Sequence, residues 1–154
     1  MQLIRLLYTS VAAAGFRPDD LRDVVEVSQR NNRRDGVTGF LTYTAPTFIQ
    51  CLEGERAAVT ESFERIRRDR RHAGVRILSS RLVEACEFAD WSMELIYLDD
   101  EALAAVLPIL DRLRSAAQPV SETAVEERLV HAIRDVFHRH AAGWGRTKVD
   151  AGVA

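Results

Sequence analysis

Tyr8, Asn32 and Gln50 are polar side chains at positions where an apolar residue would be unremarkable. Gln50 alternates with Phe48 and Leu52 in a strand-like run. Asn32 lies eleven residues after Leu21 in a helical run, about 20° from it around the axis. Buried amides cost free energy unless their donors and acceptors are filled. A phenol, a helix-end amide and a strand amide on neighbouring elements suit a planar ligand with mixed donors and acceptors. For each residue singly, a core polar group satisfied by backbone is the commoner explanation. Convergence of the three on inward-facing positions is what favours a ligand.

Other candidates carry less. Arg65, Arg67, Arg68, Arg70 and Arg71, followed by His72, offer guanidinium forks for an anionic group such as phosphate. Alone they are better explained as a solvated helix end whose cations complement the C-terminal dipole. Trp91 and Met93 at alternate positions fit ordinary core. His138 and His140 stand two apart and share no helix face, so with His131 they fit solvated histidines and no metal is expected. The chain contains no P-loop, dinucleotide fingerprint, nucleophile elbow or zinc spacing.

These residues sit in a chain of 154 residues, enough for one domain with a sizeable core and some appended helix. The formal net charge of -2 argues against a dedicated nucleic-acid binder. No apolar run reaches the ~18 residues of a membrane span, and the N-terminus enters a strand directly, without a signal-peptide pattern. Cys51 and Cys86 make neither metal nor redox spacing. The expected setting is reducing and cytoplasmic, with no nucleic acid and no membrane as partner.

The positioning elements follow from periodicity. Met1 to Tyr8 is a strand apolar on both sides, with Ile4, Leu6 and Tyr8 on one face and Leu3, Arg5 and Leu7 on the other. Pro18, Asp19 and Asp20 suit a helix start, Leu21, Val24, Val25 and Ser28 make its buried stripe, and Gly36 is a C-terminal stop. Val37 to Thr44 and Thr47 to Glu53 form a hairpin around Ala45-Pro46. Glu55 to about Arg71 is a second amphipathic helix on Val59, Phe63 and Ile66. Val75 to Val83 and Trp91 to Leu98 are further strands, the latter with Trp91, Met93 and Leu95 on one side.

Beyond Asp99 the chain turns helical, with an apolar band from Ala102 to Leu113 that Pro108 should kink and Gln118-Pro119 should break. A last helix starts near Thr123, with Glu126 as capping-box partner and a stripe of Val125, Leu129, Ile133, Val136 and Phe137. The expected fold is α+β, a ferredoxin-like sandwich (β-α-β-β-α-β-β) with two C-terminal helices packed on or beside the sheet. It divides into a core at 1–98, a helical extension at 99–142 and a flexible tail at 143–154.

Several segments together resemble the BLUF domain family: Leu6-Leu7-Tyr8-Thr9-Ser10, Ser28-Gln29-Arg30-Asn31-Asn32, Gly36-Val37-Thr38-Gly39-Phe40-Leu41 and Phe48-Ile49-Gln50-Cys51-Leu52-Glu53-Gly54. So do Asp69-Arg70-Arg71-His72 and Phe88-Ala89-Asp90-Trp91-Ser92-Met93. The resemblance implies a blue-light sensor using FAD, held between the two helices that cover one sheet face. Asn32 would bind the flavin edge with Asn31 beside it, and Tyr8 would donate an electron and a proton. Gln50 would bridge Tyr8 and the flavin and switch its hydrogen bonds. Val24, Ser28, Phe48 and Ile66 would line the pocket, and Arg65, Asp69, Arg71 and His72 would lie along the ribityl and phosphate portion. Trp91 and Met93 would carry the signal on the last strand.

The expectation is therefore a short, stand-alone photoreceptor, not an enzyme, that forms a homo-oligomer and passes its signal to a separate protein effector. The rivals are a small acylphosphatase-type hydrolase on the same fold and a flavoprotein that responds to reductant but not to light.

Overall fold

The computed structural model describes residues 1–115 and 123–139, except the side chains of 113, 114 and 123–125. The elements run β1 (Leu3–Ala12), α1 (Pro18–Asp35), β2 (Thr38–Thr44), β3 (Thr47–Glu55), α2 (Arg56–Arg67), β4 (His72–Val83), β5 (Glu94–Ile96), α3 (Asp100–Ser115) and α4 (Thr123–Arg139). The sheet order is β4-β1-β3-β2-β5. The first four strands are antiparallel and β5 adds parallel to β2. This is the ferredoxin-like sandwich with one extra strand, as the pattern predicts.

Strand alternation divides the side chains of β1 and β3 between two cores. Ile4, Leu6 and Tyr8 of β1, with Phe48 and Leu52 of β3, face Leu21 and Val25 of α1 and Val59 and Phe63 of α2. Leu7, Ile49 and Cys51 face Val106 and Leu110 of α3 and Leu129, Ile133 and Val136 of α4. The C-terminal helices thus lie on the sheet face opposite α1 and α2. No helix among the described residues is long and apolar enough to cross a membrane.

Local signals set the ends of α1. Asp20 accepts the Arg17 N–H at 2.8 Å one turn before the stripe begins. Gly36 closes the helix in the left-handed conformation, φ 71°, and the following Val37 N–H returns to the Asn32 carbonyl at 3.0 Å. The stop therefore leaves Asn32 in the last turn, facing inward and 2% exposed. A second glycine is needed at Gly39, with φ 154°, where a Cβ would stand 1.8 Å from the Cys51 carbonyl oxygen.

The structure corrects several expectations. The second helix ends at Arg67, not near Arg71, because the Asp69 carboxylate takes the Arg71 N–H at 2.9 Å and turns the chain back into β4. As a result β4 begins at His72, and β1 continues past Tyr8 to Ala12. α3 runs on through Pro108. Glu126, the expected capping-box partner, is bound by Arg5, Ser79 and Arg81, and the cap itself lies outside the described residues.

The last strand is the largest departure: it spans Glu94–Ile96, not Trp91 to Leu98. Residues 87–90 form a turn in which the Trp91 N–H reaches the Phe88 carbonyl at 2.9 Å. Alternation does not extend back through a turn, so Trp91 and Met93 lie on opposite sides of the sheet. Leu113 and Val125 of the expected stripes, the Gln118-Pro119 break, His140 and the 143–154 tail lie outside what is described.

Candidate functional site

A cleft opens between α1 and α2 over the β1, β3 and β2 face, with an empty volume of about 760 Å³ including its mouth. Its sides are mostly apolar: Val24 comes from α1, with the small hydroxyl residue Ser28, Ile66 from α2 and Phe48 from β3. Its floor carries the unusual polar groups, Tyr8 and Gln50, directly paired across β1 and β3. Asn31 and Asn32 come in from the end of α1.

The floor is a hydrogen-bonded relay. The Tyr8 hydroxyl donates to Gln50 Oε1, and Gln50 Nε2 approaches Met93 Sδ at 3.5 Å. Burial pushes the Tyr8 phenol well above its usual range, and Cys51 adds to the effect, so the hydroxyl keeps its proton. Asn32 Nδ2 donates to the Ser92 carbonyl at 2.6 Å, and Gln29 Nε2 donates to the Met93 carbonyl at 3.0 Å. Both bonds tie the end of α1 to the segment entering β5.

The outer part of the cleft is charged but internally balanced. Asp69 holds Arg71 through Nε at 3.0 Å and a second nitrogen at 2.5 Å, and this bond keeps the Asp69 carboxyl below the usual range. Arg65 reaches Asp35 at 3.0 Å, joining α2 to the end of α1. Arg34 foremost, with Arg65, holds the Asp35 carboxyl down at about 2. His72 Nε2 lies 2.6 Å from the Ile66 carbonyl, which only accepts, so this nitrogen bears the proton. Its Nδ1 is hydrogen-bonded to the Ser10 hydroxyl at 2.7 Å.

The cleft gathers Tyr8, Gln50, Asn31, Asn32, Val24, Ser28, Phe48, Ile66, Arg65, Asp69, Arg71 and His72. Met93 lies immediately behind Gln50. Trp91 is not part of this site; it stacks on Phe88 at 5.0 Å and contacts Phe137 of α4 at 4.6 Å. Ser10, Val27 and Leu41 also line the cleft and escaped the sequence reasoning. The signal for each was present. Ser10 follows Tyr8 by one strand period, Val27 continues the α1 stripe, and Leu41 pairs with Gln50 across β2 and β3.

The BLUF family model, described as sensors of blue-light using FAD, matches residues 3–94. This chain belongs to the BLUF family. Photoactivated adenylate cyclase subunit alpha of Euglena gracilis is 30% identical over 117 residues, 76% of this chain and 11% of its own length. Subunit beta from the same organism is 31% identical over 131 residues, 83% of this chain and 15% of its own length. The chain therefore spans only a small part of these curated relatives. Among solved structures, the dark state of BlrB, a BLUF protein, is 30% identical with a TM-score of 0.67, covering 85% of this chain and 96% of that one. The photo-activated state of BlsA is 25% identical with a TM-score of 0.70, covering 87% and 94%.

FAD is the cofactor of the BLUF family, and the cleft fits it. Apolar sides suit a flat ring, and Asn31 and Asn32 offer amide donors and acceptors at its inner end. Among the described residues the Gln50 amide nitrogen meets a thioether, a weak acceptor, and it can serve a stronger one. Arginines at the outer end suit phosphate.

Proposed function

We propose that this chain senses blue light through the Tyr8–Gln50–Met93 relay and signals through α3 and α4 to a separate protein partner. The observation that carries this reading is the hydrogen bond from a buried, neutral Tyr8 to Gln50 on the floor of the flavin cleft.

Asn32 and Asn31 hold the ring edge, Val24, Ser28, Phe48 and Ile66 flank it, and Arg65, Asp69, Arg71 and His72 lie along the ribityl and phosphate portion. FAD, when bound, absorbs blue light and in its excited state accepts an electron and a proton. Tyr8 would supply both, its proton leaving along the bond directed at Gln50 Oε1, and would recover both when the electron returns. Loss of that proton removes the donor that fixes the amide. Gln50 then turns, because an amide presents a donor at one end and an acceptor at the other. With the amide reversed, Oε1 instead of Nε2 faces Met93 Sδ, and an oxygen lone pair against sulfur is unfavourable. Met93 and the chain entering β5 shift in response.

Met93 rather than Trp91 is thus the residue that meets the switch, while Trp91 meets α4. The chain works as a sensor and not as an enzyme, in a cytoplasmic setting and as a homo-oligomer. The apolar faces of α3 and α4 pack on the sheet, so an oligomer or partner contact would use their outer faces, where Leu107 is exposed. The relatives named as adenylate cyclases support a light-driven output in general.

Purified protein should be yellow and show a small, reversible red shift under blue light. Gln50→Leu and Tyr8→Phe should keep flavin and lose that response. Colourless protein, or a normal response in both variants, would sink the roles given to these residues.

A further inference from the structure

Residues 87–93 are gripped from both sides of the sheet. On the cleft side Asn32 and Gln29 hold the Ser92 and Met93 carbonyls, and Met93 Sδ meets Gln50. On the opposite side Trp91 packs against Phe137 of α4. At the start of the segment Glu87 joins three groups. It accepts from Arg5 of β1 at 2.8 Å and from Arg134 of α4, and His131 Nε2 lies 3.6 Å away. The next residue is tied down as well, since the Phe88 N–H donates to Glu53 at 3.0 Å.

We propose that Glu87 is a positioning residue that transmits the light-driven displacement of the Met93 segment to α4 through Arg134. The proposal rests on the sensor reading above. Its physical basis is that α4 is fastened at three levels with different anchors. Glu126 is bound to Arg5 and Arg81 of the sheet, and Arg139 to Asp99 at 3.1 Å, just before α3. Arg134 alone of these three is bound to the segment that also carries Met93. A shift of residues 91–93 reaches Glu87 along the chain and turns its carboxylate about the bond to Arg5, which changes the Glu87–Arg134 geometry while the Glu126 anchor stays with the sheet. The result is a tilt of α4 about its N-terminal half. A half-buried ion pair suits this use, because its charge-assisted hydrogen bonds are directional and couple the orientation of the two groups.

The test is hydrogen exchange on the full FAD-loaded chain, in darkness and under blue light, with the flavin spectrum recorded in parallel. The native protein should show a light-minus-dark difference over residues 131–139. Glu87→Gln and Arg134→Gln should keep the red shift and lose that difference; Arg134→Lys should retain it. Arg139→Gln, which removes a different ion pair on the same helix, should leave it intact. Loss in Arg139→Gln equal to that in Arg134→Gln, persistence in Glu87→Gln, or a native red shift with no change in α4 would each overturn the proposal. Absence of the native red shift would overturn the sensor reading and this inference with it.

Discussion

The two faces of one sheet handle buried polarity in opposite ways. On the α1–α2 face, Tyr8, Asn32 and Gln50 are buried with hydrogen-bonding capacity left over, in a cleft that fits FAD. On the α3–α4 face, Arg5, Glu53 and Glu126 are equally buried but complete their bonds within the chain. Glu53 takes Arg5 at 2.7 Å and the Phe88 N–H, while Glu126 takes Arg5, Ser79 and Arg81. Two members of each set are borne by β1 and β3, Tyr8 and Gln50 on one side, Arg5 and Glu53 on the other, an odd number of residues apart along each strand. Buried polar groups with spare capacity point to a ligand, whereas a saturated network points to a fixed joint.

The sharpest way to break the contrast is to remove one partner of the saturated face. Glu53→Ala leaves Arg5 buried beside one fewer carboxylate and should cost about 3–5 kcal/mol of stability in chemical denaturation. A loss below about 1 kcal/mol would show that the network is not the joint described.

Alkaline pH probes the other face. The folded Tyr8 pKa is raised above the unfolded value of about 10. Its contribution to stability is therefore fully present below about pH 10 and is lost as pH rises and the unfolded phenol ionises, by about 1.4 kcal/mol per pH unit. Tyr8→Phe should lack this component of the pH slope. Identical slopes for the two proteins above pH 10 would contradict the burial argument.

The outer cleft should respond least. Asp69 and Arg71 are each about one-third exposed, so Arg71→Gln should cost less than about 1 kcal/mol. The Asp69 carboxyl, released from its main partner, should rise toward the ordinary range, which NMR titration of that residue can follow.

The face that binds a ligand was the more legible in the sequence. Gln50 between Phe48 and Leu52, and Asn32 under Leu21, violate a local period and can be seen without tertiary information. The joint was not legible. Arg5 passed as the odd polar residue of an otherwise apolar strand, and its partners lie 48, 82 and 121 residues away. No local period relates such partners, and the fold alone brings them together. The ion pairs of Glu126 were hidden for the same reason: the spacing of a capping box suggests a local role, while its buried arginine partner is 121 residues away. Trp91 failed differently. Its spacing from Met93 and Leu95 suggests one strand face, yet alternation holds only where the backbone is extended.

Gly39 gives the architecture a point of weakness two residues along the β2–β3 ladder from Gln50. Its bare α-carbon lets β2 and β3 close to a distance that any side chain would prevent, and its N–H holds the Trp91 carbonyl at 2.8 Å. A single base change at this codon would therefore loosen the hairpin bearing Gln50 and release the segment that meets α4 at once. Random mutagenesis scored for blindness to light should accordingly return this glycine as often as the residues that touch flavin.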